Sequence, residues 1–200
     1  HYIEYLWMAP LNVGIEVGGG SENGIIRDCH FTPNTWCLRG KEDYWEKVDR
    51  MIMAQSRPYV IGKSKNQILY HNFVFAAYQG LSILDGAQNV YSLCHGVDAG
   101  NISAYFEGDC TATLVDSQLV NRDDSGANRD MNYIRTNDDF TGSVEMIGLA
   151  AWGSPKSALY LEGDGNLAIR CALISAAGSP MARLDAGSLS VWGMFNRGHS

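Results

Sequence analysis

The sequence has few basic residues and no long apolar run. Its 15 lysine and arginine residues are outnumbered by 22 aspartate and glutamate residues, which gives a net charge of −7. Nucleic-acid binding depends on basic surfaces that displace counterions from phosphates, and the sequence contains no basic stripe. No run of about 18 apolar residues occurs, so no transmembrane helix is predicted. The composition therefore argues against a nucleic-acid partner and against a membrane span.

Cysteine is also sparse, and its spacing excludes the common zinc sites. The chain has 5 cysteines, and no two of them form a C-x-x-C pair. We therefore predict free, mostly buried thiols and no protein-bound metal of this type. A disulfide between Cys37 and Cys110 stays open at this point, because both lie near predicted turns.

What the sequence does contain is a repeat of about 22 residues. Cys94 lies 22 residues before Asp116, and the same step separates Cys171 from Gly193. The column of equivalent positions is Cys29, Asn72, Cys94, Asp116, Leu149, Cys171 and Gly193. A period in this range is typical of stacked supersecondary units. We expect Cys29, Cys94 and Cys171 to share one buried column of the stack.

The repeating unit consists of short strands that end at glycine. The segments 104–107 and 158–162 alternate as half-buried strands do, and Gly108 and Gly163 follow them. Two or three such strands per 22 residues predict an all-β solenoid, a parallel β-helix with about 22 residues per rung. One short inserted helix is predicted at 41–55, where Tyr44, Val48 and Ile52 share a face.

Two segments carry a resemblance to a known superfamily. The runs Asn23-Gly24-Ile25-Ile26-Arg27-Asp28-Cys29 and Ile83-Leu84-Asp85-Gly86-Ala87-Gln88-Asn89 resemble rungs of the pectate-lyase-like, right-handed parallel β-helix superfamily. That superfamily includes polysaccharide lyases, glycoside hydrolases, carbohydrate esterases, tailspikes and adhesins. The resemblance implies a polysaccharide or oligosaccharide partner and a secreted or cell-surface location. We expect residues 1–200 to form one β-helix domain of a longer chain, since a β-helix needs capped ends.

Two insertions interrupt the repeat, near 34–65 and near 121–132. Both insertions begin about five residues after a position of the repeat column. We therefore expect them to emerge from one corner of the coil and to form a wall of a binding surface. Trp36 and Trp45 in the first insertion are predicted to stack on sugar rings, and packing is the alternative role. Arg122 and Asp123 in the second, a charged loop, are predicted to contact the ligand.

The repeat also predicts a column of acidic side chains. Asp85 and Glu107 are 22 residues apart, so we expect them on neighbouring rungs, with Glu162 further along the same column. Two carboxylates about 5 Å apart suit the nucleophile and acid of a retaining glycosidase. The same pair also suits a calcium ion, or it caps the glycine turns that follow.

Histidines supply a further candidate group. His30 and His95 each follow a cysteine of the repeat column, so both are expected to face outward at one level. His95 has Asp98 three residues further on, and we predict that it assists catalysis while Asp98 binds substrate.

The leading prediction is a carbohydrate-active β-helix protein that hydrolyses glycosidic bonds with Asp85 and Glu107. A calcium-dependent lyase with an arginine base is one alternative, and calcium is the only cofactor that any of these functions requires. A non-catalytic tailspike-like or adhesin-like β-helix that binds glycans is the other alternative.

Overall fold

The computed structural model describes residues 1–37, 42–121, 131–176 and 180–196. Strands dominate these residues, and two helices lie together in one insertion. In chain order, the described elements are β1 (Tyr2–Glu4), β2 (Trp7–Met8), β3 (Val13–Val17), β4 (Ser21–Glu22), β5 (Ile25–Arg27), β6 (His30–Phe31), α1 (Asn34–Cys37), α2 (Glu42–Gln55), β7 (Arg57–Ile61), β8 (Ser64–Lys65), β9 (Ile68–Tyr70), β10 (Phe73–Ile83), β11 (Ala87–Gln88), β12 (Val90–Leu93), β13 (Gly96–Phe106), β14 (Thr111–Val115), β15 (Gln118–Val120), β16 (Asn132–Thr136), β17 (Ser143–Ile147), β18 (Ala150–Gly153), β19 (Leu159–Leu161), β20 (Asn166–Ala176), β21 (Ala182–Leu184) and β22 (Ser188–Asn196).

The strands form three parallel stacks, which the chain visits in the same order on successive rungs. Stack 1 consists of β1, β5, β9, β12, β14, β17 and the first halves of β20 and β22. Stack 2 consists of β2, β6, the first halves of β10 and β13, β15, β18 and the second halves of β20 and β22. Stack 3 consists of β3, β7, the second halves of β10 and β13, β16, β19 and β21. A small parallel sheet of β4, β8 and β11 lies between stack 3 and stack 1. The predicted all-β parallel solenoid is therefore confirmed.

The core is built from columns of apolar side chains that point inward from successive rungs. In stack 1, Ile26, Leu69, Leu114, Met146 and Ile169 are all buried and belong to one column, in which the buried Ser92 lies between Leu69 and Leu114. Burying one such side chain stabilises the fold by about 1.5–3 kcal/mol. Because each side chain packs on residues from the rungs above and below, one rung cannot be stable by itself.

The strand register corrects the predicted repeat column by one residue in part of the chain. Leu93 pairs with Tyr70 and with Val115, so Cys94 lies level with His71 and Asp116 rather than with Asn72. The cause is variation in turn length between stack 3 and stack 1. Val90 follows Ile83 by seven residues, whereas the equivalent Ala112 follows Phe106 by six. A fixed step of 22 therefore joins positions that are not equivalent.

The same shift makes the predicted column of buried cysteines wrong. Cys29 is buried, whereas Cys94 and Cys171 are exposed and free. Cys94 and Cys171 occupy the outer turn position, and Cys29 occupies the inner position that follows it. Cys110 is buried and free, so no disulfide joins it to Cys37.

Both insertions connect stack 2 to stack 3, as the sequence predicted for a shared corner. The first contains α1 and α2, and α2 agrees with the predicted helix to within one residue. Ile52 and Met53 of α2 are buried against Ala76 of β10, which anchors the helix to the solenoid. Neither described helix is long and apolar enough to cross a membrane.

Candidate functional site

A single residue in the left-handed backbone region turns the chain from stack 1 into stack 2. We name these residues the turn column, and the members are Tyr5 (φ 55°), Asp28 (φ 52°), His71 (φ 52°), Cys94 (φ 53°), Asp116 (φ 51°), Gly148 (φ 70°), Cys171 (φ 54°) and Gly193 (φ 68°). A non-glycine residue in this region costs about 1–2 kcal/mol. Hydrogen bonds between rungs hold it there: the amide of His71 donates to the carbonyl of Leu93, and that of Cys94 to the carbonyl of Val115.

An open groove of about 700 Å³ runs along this corner. We name it the corner groove. The residues that line it are Tyr5, Asp28, Cys29, His30, His71, Asn72, Phe73, Cys94, His95, Gly96, Asp116, Ser117, Gln118, Gly148 and Ala150. They come from six successive rungs, which span roughly 24 Å at the spacing of parallel strands. The groove is thus elongated along the solenoid axis, in the direction that an extended polymer would follow.

Aromatic rings form a wall beside the groove at the start of stack 2. The ring of His30 is stacked on Trp7, with centroids 5.4 Å apart and planes 4° apart. Phe73 meets His30 edge to face at 4.9 Å. Desolvation lowers the pKa of His30, which favours a neutral ring in this wall.

Three polar residues stand on successive rungs of the groove floor. Asp28, His71 and Cys94 are consecutive in the turn column, and Asp28 Oδ1 lies 2.8 Å from His71 Nδ1. Arg27 Nε donates to the other carboxylate oxygen at 2.6 Å. The hydrogen bonds from His71 and Arg27 lower the pKa of Asp28, so it is ionised at neutral pH.

A second column of polar residues lies directly inside the turn column. Asn72 accepts from the amide of Cys29 at 3.0 Å and donates to the carbonyl of Ile26 at 2.9 Å. His95 occupies the next rung and is buried, with both ring nitrogens unpaired among the described groups. Burial lowers the pKa of His95 to about 4. The prediction that His95 faces outward at the level of His30 is therefore wrong, although His95 does line the groove.

The strand register puts the predicted carboxylate pair out of level by one residue. Ile83 pairs with Phe106, which places Glu107 opposite Leu84 and Asp85 opposite Gly108. A Cβ atom added at Gly108 would lie 2.5 Å from that of Asp85. Asp85 accepts the amide proton of Asp109 at 2.9 Å, and so caps the turn of the next rung. Asp85 and Glu107 are consequently not level with each other, and neither lines the corner groove.

The strand register does place Glu162 two rungs beyond Glu107, in one column with Asp185. The hydroxyl of Tyr160 lies 3.0 Å from both Glu162 and Asp185. Arg135 binds Glu162 at 3.0 Å, so this carboxylate belongs to an ion-pair network on stack 3.

The remaining predicted site residues lie away from the groove or have side chains outside the part of the chain that the structure describes. Asp98 lies in β13, half-buried and paired in register with Phe75, and it does not line the groove. Trp36 lies in α1 and Trp45 in α2, but their side chains fall outside the described residues. Arg122 and Asp123 lie outside the described residues altogether. In the part of the chain that is described, no group of three or more His, Cys, Asp or Glu side chains could hold a metal ion.

Sequence reasoning missed Asp28, His71 and Cys94 because the assumed period was one residue out of step. A usable signal was present nonetheless. Four strands of stack 1 are each followed by two polar or thiol residues, namely Asp28-Cys29, His71-Asn72, Cys94-His95 and Asp116-Ser117. Aligning these pairs, instead of counting a fixed step, brings the groove residues into one column.

Comparisons of the chain with protein-family models, with curated proteins and with solved structures find no match in any of the three.

Proposed function

We propose that the protein is a carbohydrate-active, right-handed parallel β-helix of the pectate-lyase-like kind, and that it binds an extended polysaccharide in the corner groove. The observation that carries the proposal is the groove itself, about 700 Å³ in volume and continuous over six rungs. A polymer of regular repeat can bind equivalent positions on successive rungs. The proposal places the protein outside the cell or at its surface, where such polymers occur.

The chemistry of the lining supports a sugar ligand. The rings of Tyr5, His30 and Phe73 offer apolar faces for the C–H faces of sugar rings. Asp116 and Gln118 offer hydrogen-bonding groups for hydroxyls. Because the chain has a net charge of −7 and Asp28 and Asp116 line the groove, a neutral polysaccharide fits better than a polyanionic one.

Cleavage of a glycosidic bond by Asp85 and Glu107 remains part of the proposal, and it has the weaker support. A cleavage site at these residues would lie at the corner between stack 3 and stack 1, away from the groove. We therefore expect Asp85→Asn and Glu107→Gln to leave binding in the groove intact. Loss of hydrolysis in both variants, with folding retained, would support the pair, and unchanged hydrolysis would remove it from the mechanism.

The test is a panel of neutral and acidic polysaccharides, with binding measured by affinity electrophoresis. Reducing ends and unsaturated uronates are read in parallel, with and without calcium, so that hydrolysis and lyase activity are separated. Tyr5 is 70% exposed, so Tyr5→Asn should weaken binding about 3- to 10-fold without unfolding the chain. Tyr78→Asn, an exposed tyrosine outside the groove lining, is the matched control. Equal binding by both variants, or no binding by the wild type, would contradict the proposal.

A second function is favoured by the outer face of stack 1. Ile68, Tyr70 and Tyr91 are 36%, 43% and 43% exposed there, beside the half-buried Leu93 and Val115. An exposed apolar face of this kind suits the assembly of a tailspike-like or adhesin-like protein that binds glycans without cleaving them. A trimer in light scattering, together with glycan binding but no turnover, would favour this alternative over the enzyme.

A further inference from the structure

The floor of the corner groove carries a carboxylate, an imidazole and a thiol on three successive rungs. Asp28, His71 and Cys94 occupy equivalent turn positions, and parallel strands place equivalent backbone positions about 4.8 Å apart. All three line the groove. Their order along the axis puts the imidazole between the carboxylate and the thiol.

The contact with Asp28 fixes which nitrogen of the neutral His71 ring carries the proton. Asp28 Oδ1 lies 2.8 Å from Nδ1, and a carboxylate in this position keeps the proton of the neutral ring on Nδ1. Nε2, at the opposite edge of the ring, is then free to accept a proton. Asp28 belongs to the rung on one side of His71, and Cys94 belongs to the rung on the other side.

Cys94 has the exposure and the backbone setting of a nucleophile. Its thiol is free and exposed, and its residue sits in the left-handed region (φ 53°) at a sharp turn. The amide of His95, the next residue, donates no hydrogen bond to any described group. In the site proposed below, this amide is the oxyanion donor.

We propose that Cys94 is the nucleophile of an acyl-hydrolase site, with His71 as general base and Asp28 as the residue that positions His71. The substrate class is an ester, in particular an O-acylated polysaccharide. The polysaccharide part of this inference rests on the function proposed above, whereas the thiol chemistry does not.

The reaction balances without any further reagent. His71 Nε2 takes the thiol proton, and Cys94 Sγ forms a bond to the ester carbonyl carbon. The C–O bond of the tetrahedral intermediate then breaks, and the alcohol leaves with the proton from His71. Water attacks the resulting thioester while His71 accepts a proton of the water, and the C–S bond then breaks as His71 returns that proton to the departing sulfur. The products are an alcohol, a carboxylic acid and the free thiol.

The first experiment uses p-nitrophenyl acetate and the full 200-residue chain. We expect p-nitrophenol release, with an acetyl thioester on Cys94 after acid quenching and peptide mass spectrometry. Cys94→Ala should abolish turnover. His71→Asn should lower it about 10²- to 10⁴-fold, and asparagine tolerates the left-handed region.

Cys171→Ala is the matched control. Cys171 is also free, exposed and left-handed (φ 54°), but its neighbours in the turn column are Gly148 and Gly193, so it has no base beside it. Turnover should be unchanged in this variant. Equal acetylation of Cys94 and Cys171 in the wild type, or full turnover in Cys94→Ala, would overturn the proposal.

The positioning role of Asp28 has its own measurement. In Asp28→Asn, the amide can donate to Nδ1, which forces the ring proton onto Nε2 and blocks proton transfer from the thiol. We expect kcat to fall about 10²- to 10⁴-fold while KM is retained. A change in KM alone would assign Asp28 a merely structural role.

Polysaccharide binding is measured separately, with Cys94→Ala as the probe protein. Binding without p-nitrophenol turnover by the wild type would reject the acyl-hydrolase site and keep the proposed function. Turnover with an acetyl group on Cys94 but no polysaccharide binding would keep the thiol site and reject the glycan substrate.

Discussion

His95 is a buried histidine with two unpaired ring nitrogens beside an open groove. Burial disfavours the charged ring and lowers its pKa from 6.5 to about 4. The side chain is therefore neutral at neutral pH, where it can both donate and accept a hydrogen bond. His95 therefore contributes a neutral ring to the interior of the solenoid, where it meets the buried Tyr59 edge to face at 5.1 Å.

The buried state of His95 predicts an acid sensitivity of the fold. Between pH 4 and 6.5, the unfolded chain binds a proton at this residue and the folded chain does not. The contribution of His95 to the free energy of unfolding should thus be constant above about pH 6.5 and fall by up to about 3 kcal/mol as the pH drops to 4. The lowered pKa of His30 acts in the same direction. Urea unfolding of the wild type and of His95→Leu at several pH values measures the effect.

The surface variant Cys171→Ala is the control for the pH-dependent unfolding of His95→Leu. The pH dependence should be flatter in His95→Leu, and the surface variant Cys171→Ala should retain the slope of the wild type. An unchanged acid slope in His95→Leu would show that the ring is not protected from protonation in the folded chain.

At the scale of elements, α2 is attached to the solenoid through a small apolar contact. Ile52 and Met53 are buried against β10, whereas Met51 on the same helix is 44% exposed. The carbonyl of Met53 also accepts a hydrogen bond from the side chain of Asn101 in β13. The helix thus covers the outer side of two neighbouring rungs.

This contact predicts that truncating Ile52 and truncating Met51 lower the free energy of unfolding by different amounts. Ile52→Ala removes buried methyl groups and should lower the free energy of unfolding by about 2–5 kcal/mol. Met51→Ala should change it by less than about 0.5 kcal/mol, because an exposed side chain loses little packing. Chemical denaturation of both variants measures the difference. Equal effects would mean that α2 is held to the solenoid by other residues.

At the scale of the molecule, each rung depends on its neighbours. β13 pairs with β10 on one side and with β15 and β16 on the other, whereas β22 pairs only with β20 among the described strands. Solenoid stability is approximately a sum of repeat terms and nearest-neighbour terms. A rung with one partner therefore opens more easily than a rung with two.

Hydrogen exchange measured by mass spectrometry on the 200-residue chain tests this dependence. Amides of β10 and β13 should exchange most slowly, and those of β22 should exchange much faster, since local opening requires fewer contacts to break. Protection that is uniform from β1 to β22 would indicate one cooperative unit instead of a chain of coupled rungs.

The sequence by itself determined the solenoid, the site of α2 and the shared corner of both insertions. These features depend on local patterns: alternating strands such as 104–107, recurring glycine turns, and the apolar face of 41–55. They survive small errors in alignment, because alternation and periodicity are averaged over many residues.

Only the tertiary structure decided which residues meet at the candidate site. The turns between stack 3 and stack 1 differ in length by single residues, as the segments after Ile83 and after Phe106 show. Because strand side chains alternate between faces, a shift of one residue exchanges inside for outside. That shift buried His95, exposed Cys94, moved Asp85 out of level with Glu107 and brought His71 level with Cys94. The register between distant segments is set by strand pairing, which no local pattern contains.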